Sequence, residues 1–236
     1  MPKTNRRKPR LGPRDNDIFE HVSRYRLTTR EVLHRLFFAE VEMNAVTKVT
    51  SRLCRDGFLN RYDLYPSRSY FVLGGEGARF LGISKKRTEA MGVQSLPIEY
   101  ATLAYCTAAP GRERLTRREL QEHHPQYLVS GVDSSHYYLD HDGEKARLAY
   151  IRVDCGGSAD HVIRKCRGDL EERQEHEAFA ALIERNQFLI AVATGRAEKA
   201  AAIHESLKRH QWPIRFRIEV IPELVNLIPR FAVGQD

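Results

Sequence analysis

The chain has no CxxC pair, no glycine-rich phosphate loop of the GxxxxGK or GxGxxG kind, and no serine or cysteine nucleophile motif. P-loop nucleotide hydrolysis, dinucleotide binding and elbow-type hydrolase chemistry are therefore not expected, and no motif calls for a cofactor. Its four cysteines, at 54, 106, 155 and 166, are too few and too scattered to form a disulfide scaffold in 236 residues. Reduced thiols in a cytoplasmic protein are the expectation. No apolar run approaches the length of a membrane span. The opening MPKTNRRKPR is charged, with no apolar segment behind it, so neither a secretory signal nor a membrane partner is expected. No internal repeat or low-complexity tract is present.

What is present is enough apolar side chain, 42%, to fill one large core or two small ones, and a net charge of +7. The charge is unevenly spread. Residues 1–90 carry a net +9 and the remainder a net −2. A positive field confined to the first part favours a polyanionic partner there. Residues 1–14 hold six basic side chains, among them Arg6, Arg7 and Lys8, and no acid; with Pro2, Pro9, Gly12 and Pro13 they are expected to form a flexible basic arm.

Residues 15–82 carry an ordered set of signals. Ile18, Phe19 and Val22 give a first helix an apolar face. Thr28 and Glu31 fit a capping box for a second, with Val32, Leu33, Leu36 and Phe37 as its buried stripe. A third helix is expected over about Asn44–Asp56, apolar at Val46, Val49 and Leu53, with Gly57 as its stop. FLNRYDL and SYFVL then read as two strands around the turn YPSR. Three helices followed by a hairpin is the order of a winged helix-turn-helix, whose third helix enters the DNA major groove. The candidate contacts are Thr47, Lys48, Thr50, Ser51, Arg52 and Arg55 on that helix, with Arg61 at the base of the hairpin and Arg68 at its tip. Arg52 and Arg55 suit guanine edges or phosphates, and the hydroxyls are short donors. The expected partner is double-stranded DNA.

Residues 83–97 are polar and aperiodic and are expected to be a linker. Residues 98–236 read as a mixed α/β domain. It comprises a helix over about Pro97–Ala108, a short helix capped by Thr116 and Glu119, strands at HYYL and ARLAYIRVD, and one long helix from Ser158 to about Arg185. An almost wholly apolar strand QFLIAVAT, a helix at about Glu198–His210 and a last strand IRFRIEVI follow. The expected class is α+β overall. Cys155, His161 and Cys166 match no zinc spacing, and neither these nor His123, His124 and His136 are expected to hold a metal.

The segments RLGPRDNDIFEHVSRYRLTTREVLHRLFF, VTKVTSRLCRDGFLNRY and YFVLGGEGARFLG resemble the replication-relaxation family, winged-helix proteins of plasmids, conjugative elements and phages. The resemblance covers about 70 residues and implies a second half related to the PD-(D/E)xK, or restriction-endonuclease-like, fold. It also implies a role as transcriptional regulator, or as accessory factor at a replication or transfer origin, with a homodimer mate or a replication or transfer protein as further partner. Such a nuclease needs two acids and a lysine around a metal. Where the pattern would place acid–x–acid, the chain reads Arg152-Val153-Asp154. Asp133, Asp140 and Asp142 are out of phase with the upstream motif. Asp154 and Lys165 are the remnants, so a degenerate domain without catalysis is expected; the alternative is a winged-helix-targeted metal-dependent nuclease.

Overall fold

The computed structural model describes residues 11–142 and 145–228. The chain divides into two compact units, Met1–Ala90 and Met91–Asp236. Among the described residues no helix is long and apolar enough to cross a membrane.

The first unit runs α1 (Pro13–Tyr25), α2 (Arg30–Phe37), α3 (Met43–Arg55), β1 (Leu59–Tyr65), β2 (Arg68–Leu73) and α4 (Gly75–Phe80). Pro13 and Arg14 belong to α1, not to an arm. Proline in the first turn gives up only an N–H that would be unpaired there, and Asp15 accepts the Gly12 N–H at 2.9 Å. The cap of α2 is Thr29, one residue later than expected: its Oγ1 accepts the Val32 N–H at 3.3 Å. Thr28 is buried instead, exchanging backbone hydrogen bonds with Phe71 of β2, so a short third extended segment joins the hairpin.

Gly57 ends α3 with φ +79°; the Gly57 N–H donates to the Cys54 carbonyl and the Phe58 N–H to that of Leu53. These are the paired bonds of a Schellman stop. The hairpin turns at Pro66 and Ser67, where Ser67 takes φ +67°. Ile18, Phe19, Val22, Leu33, Val46, Leu53, Phe58, Phe71 and Leu73 form the core, with Phe19 stacked on Phe58. Leu36, expected in the stripe of α2, is 42% exposed.

The expected linker at 83–97 is mostly ordered. A 3-10 turn at Lys85–Thr88 returns to the first unit, where the Thr88 carbonyl accepts from Asn60 and the Tyr62 hydroxyl. The next helix, α5 (Ser95–Ala108), already begins at Ser95.

The second unit continues with β3 (Arg112–Arg114), α6 (Arg117–His123), β4 (Tyr137–Asp142), β5 (Lys145–Val153), α7 (Ala159–Gln174), α8 (Glu177–Glu184), β6 (Phe188–Thr194), α9 (Ala197–Lys208), β7 (Arg215–Val220) and α10 (Leu224–Leu227). The capping box Thr116–Glu119 forms as expected. The strands make one mixed sheet in the order β3-β4-β5-β6-β7, antiparallel up to β5 and parallel from β5 onward. One face carries Tyr137, Leu148, Tyr150, Phe188, Ile190 and Val192 into the core with residues of α7, α8 and α9. The other meets α5, whose Tyr105 hydroxyl lies 2.8 Å from that of Tyr138. Every residue of β6 is buried, as an apolar strand covered on both faces requires.

The single long helix expected from Ser158 to Arg185 is two helices. The buried spacing of α7 (Val162, Cys166, Leu170, Arg173) would bring Glu177 inward if it continued. An extended residue at His176 re-phases the chain and turns Phe179 and Ile183 inward. Phe179 then packs beside the wholly buried Arg173, which also lies over the rings of Tyr150 and Tyr137.

Candidate nucleic-acid interface

Helix α3 divides its side chains into rows by the 3.6-residue period. Val46, Thr50 and Leu53 face the core; Ala45, Val49 and Arg52 lie along one flank, half-buried; Asn44, Lys48, Ser51 and Arg55 form an exposed stripe spaced +4, +3, +4. That stripe combines an amide, a hydroxyl and two cations and contains no carboxylate. Among the described residues Lys48 makes no ion pair. Arg55, 75% exposed at its side chain, is only 3.4 Å from Asp56.

Several expected contacts prove to be internal. Thr50 is fully buried, and its hydroxyl donates to the Val46 carbonyl at 2.9 Å, so it has no surface to offer a ligand. Thr47 is half-buried and donates to the Met43 carbonyl at 3.2 Å. Arg52 Nη2 donates to Asp15 Oδ1 at 2.6 Å, tying α3 to the first turn of α1. It braces the two helices and is withdrawn from the exposed stripe. At the hairpin tip, Arg68 is ion-paired with Glu31 of α2, both about half-exposed. Arg61 is exposed and donates to Ser69 Oγ at 2.9 Å. It also lies within electrostatic reach of Cys54: burial pushes that thiol up, while Arg61 and Arg30 oppose the shift. Arg6, Arg7 and Lys8 lie outside the described residues.

Asn44 was not among the expected contacts. Its signal is in the sequence, since it stands one +4 step before Lys48, but an amide at a helix start is less conspicuous than basic and hydroxyl side chains.

In the second unit the expected remnants do not meet. Lys165 is exposed on α7. The lysine near Asp154 is Lys199 of α9, 4.0 Å from Oδ2 and bonded to the Gly157 carbonyl. Asp154 is buried at the end of β5 and accepts from Thr194 Oγ1 at 3.0 Å and from the Gly156 N–H at 3.1 Å. Arg152 is held by both carboxylate oxygens of Asp169 on α7. Asp140, on the opposite face of the sheet, pairs with Arg217 of β7 at 2.7 Å. Asp133 receives the Tyr150 hydroxyl and the Ser135 N–H; the His136 ring beside it, with these donors, holds its carboxyl well below the usual range. Each of these acids thus has protein donors or cations of its own. Among the described residues no three His, Cys, Asp or Glu side chains cluster as a metal would require. Cys166 lies in the core, where burial pushes its thiol up to about 12.

Comparison with family models, with curated proteins and with solved structures finds no match to this chain.

Proposed function

We propose that the first unit is a winged helix-turn-helix that binds double-stranded DNA through α3, with the β1–β2 hairpin as its wing. The observation that carries this is the exposed, carboxylate-free stripe of Asn44, Lys48, Ser51 and Arg55, on a helix followed at once by a hairpin bearing Arg61. Asn44 and Arg55 suit bidentate contacts to adenine and guanine edges; Lys48 and Ser51 suit phosphates or bases. The bias of +9 within residues 1–90 adds affinity for any duplex. Taken with the sequence resemblance, the role is that of a regulator or origin-binding factor of a mobile element.

For the second unit we propose a restriction-endonuclease-like scaffold without nuclease chemistry. The mixed sheet, antiparallel over β3, β4 and β5 and parallel from β5 to β6 and β7, with α5 on one face and α7, α8 and α9 on the other, supports the scaffold. The pairs Arg152–Asp169 and Arg217–Asp140, and the protein donors around Asp154, support the loss of chemistry, because a metal would have to displace them.

Selection of bound duplexes from a random pool tests the DNA reading. Enrichment of a defined sequence is expected, and a pool unchanged after repeated rounds contradicts it. Incubation with supercoiled DNA and magnesium or manganese tests the second proposal. No cutting is expected, whereas cutting that vanishes in Asp154→Ala contradicts it.

A further inference from the structure

The wing is tied to α2 at two points. Thr28 and Phe71 are paired antiparallel, so the chain that leaves Thr28 toward α2 runs beside β2 in the direction of the hairpin tip. Three residues out from each partner stand Glu31, in the first turn of α2, and Arg68, the first residue of β2, and their side chains form an ion pair. This pair differs from those of Arg52, Arg217 and Arg152, which also join separate elements. In those the carboxylates of Asp15, Asp140 and Asp169 are buried, at 8%, 2% and 9% exposed. Arg68 and Glu31 are 49% and 48% exposed. In an ion pair this open, Coulomb attraction is offset by side-chain entropy and screening, so either member can be exchanged for another partner.

In a helix-turn-helix made by α2 and α3, the reading on which this inference rests, α2 crosses the DNA backbone and the wing lies along it. Glu31 and Arg68 then both meet phosphates, with opposite consequences. The Arg68 guanidinium matches a phosphate through two parallel N–H···O bonds. The Glu31 carboxylate is repelled by that phosphate and competes with it for the same guanidinium. Sharing one guanidinium would hold the carboxylate and the phosphate close together in a potential that is already negative, which favours exchange over sharing. After the exchange Glu31 stands beside the backbone without its cation. Glu31 therefore subtracts from the affinity that Arg68 would otherwise lend.

We propose that Glu31 is a built-in competitor of DNA for the wing: it holds Arg68 in the free protein, and a duplex binds by drawing Arg68 from this carboxylate to a phosphate. A single small anion of the same charge has no advantage over Glu31, whereas the summed field of a duplex does.

The test is a double-mutant cycle read by fluorescence-anisotropy titration of one selected duplex with the full chain: wild type, Glu31→Gln, Arg68→Ala and the double variant, at several salt concentrations. Both side chains are half-exposed, so the four proteins are expected to melt alike. Glu31→Gln is expected to bind more tightly than wild type, with log K falling more steeply with log salt. Its gain is expected to be about two- to fivefold larger with Arg68 present than in the Arg68→Ala background, the worth of one exposed pair lost on binding. The gain left in that background is relief of plain repulsion. An equal gain in both backgrounds overturns the proposal, because the pair would then survive in the complex. Unchanged binding by Glu31→Gln overturns it, and so does weaker binding, which would make Glu31 a positioning residue for Arg68. In each of these cases wild type still binds the duplex and the DNA-binding reading stands; a wild type that binds no selected duplex overturns both.

Discussion

Arg52 and Arg55 lie one helical turn apart and do different work. Arg52 is bonded to Asp15, so Arg52→Ala is expected to cost the first unit about 1.5–3 kcal/mol, the range for a hydrogen bond to a charged group. Thermal unfolding measures this. Asp15→Ala in the Arg52→Ala background should cost much less than it does alone, because the two share one interaction. Arg55→Ala should leave the melt unchanged and weaken DNA binding. A second residue-scale expectation concerns His21, buried with its Nε2 3.1 Å from Thr28 Oγ1. Burial, helped by Arg24, lowers its pKa from 6.5 to about 4. Between those values the unfolded chain binds the proton and the folded unit does not. The stability due to neutral His21 is thus complete above pH 6.5 and drains away as pH falls toward 4, by at most about 3 kcal/mol. Urea melts of wild type and His21→Gln across that window should converge at low pH; parallel curves would contradict it. The split between the two arginines was not legible in the sequence. Periodicity shows which side of α3 is apolar, but not which polar flank lies against α1. Asp15, 37 residues away, decides that.

At the scale of elements, the stop of α3, the strands of the hairpin and the apolar strand β6 were legible, because Gly57, alternation and an unbroken apolar run are local signals. The break between α7 and α8 was not, since it answers to the core position of Phe179 and to Arg173, which Tyr137 Oη and the carbonyls of Asp169 and Asp133 hold in place. The short strand β3 was missed because three residues, two of them arginines, carry no pattern; Arg114 is buried there by its pair with Glu99 at 2.6 Å. The corner between α3, β1 and α4 depends on close backbone approach. A Cβ at Gly77 would lie 2.4 Å from the Phe58 carbonyl oxygen, and one at Gly74 would lie 2.3 Å from that of Gly57. Gly77→Ala should therefore destabilise the first unit by about 1–3 kcal/mol or more, as an overpacked site does, although alanine is the better helix former. A melt at or above the wild-type temperature would show that α4 can shift freely.

At the scale of the whole molecule, the bias in charge between the two units was plain in the sequence, while the pairing of the second unit's acids with its own cations was not. Asp140 with Arg217 and Arg152 with Asp169 join elements far apart along the chain, and no local pattern announces them. Deleting residues 1–10, which hold five of the basic side chains, is expected to weaken binding to all duplexes alike and to make the fall of log K with log salt shallower. An unchanged slope would place those residues away from DNA. The most direct test is a fluorescence-anisotropy titration of a selected duplex with wild type and with Lys48→Ala/Arg55→Ala at several salt concentrations. Wild type should bind with a steep negative salt slope. The double variant, with an unaltered melt, should bind the selected duplex at least tenfold more weakly, at about 1.4 kcal/mol per factor of ten. Its slope should be shallower by about 0.9 for each phosphate that the variant no longer neutralises. Equal affinity and equal slope for the two proteins would contradict the assignment of α3 as the DNA-binding helix.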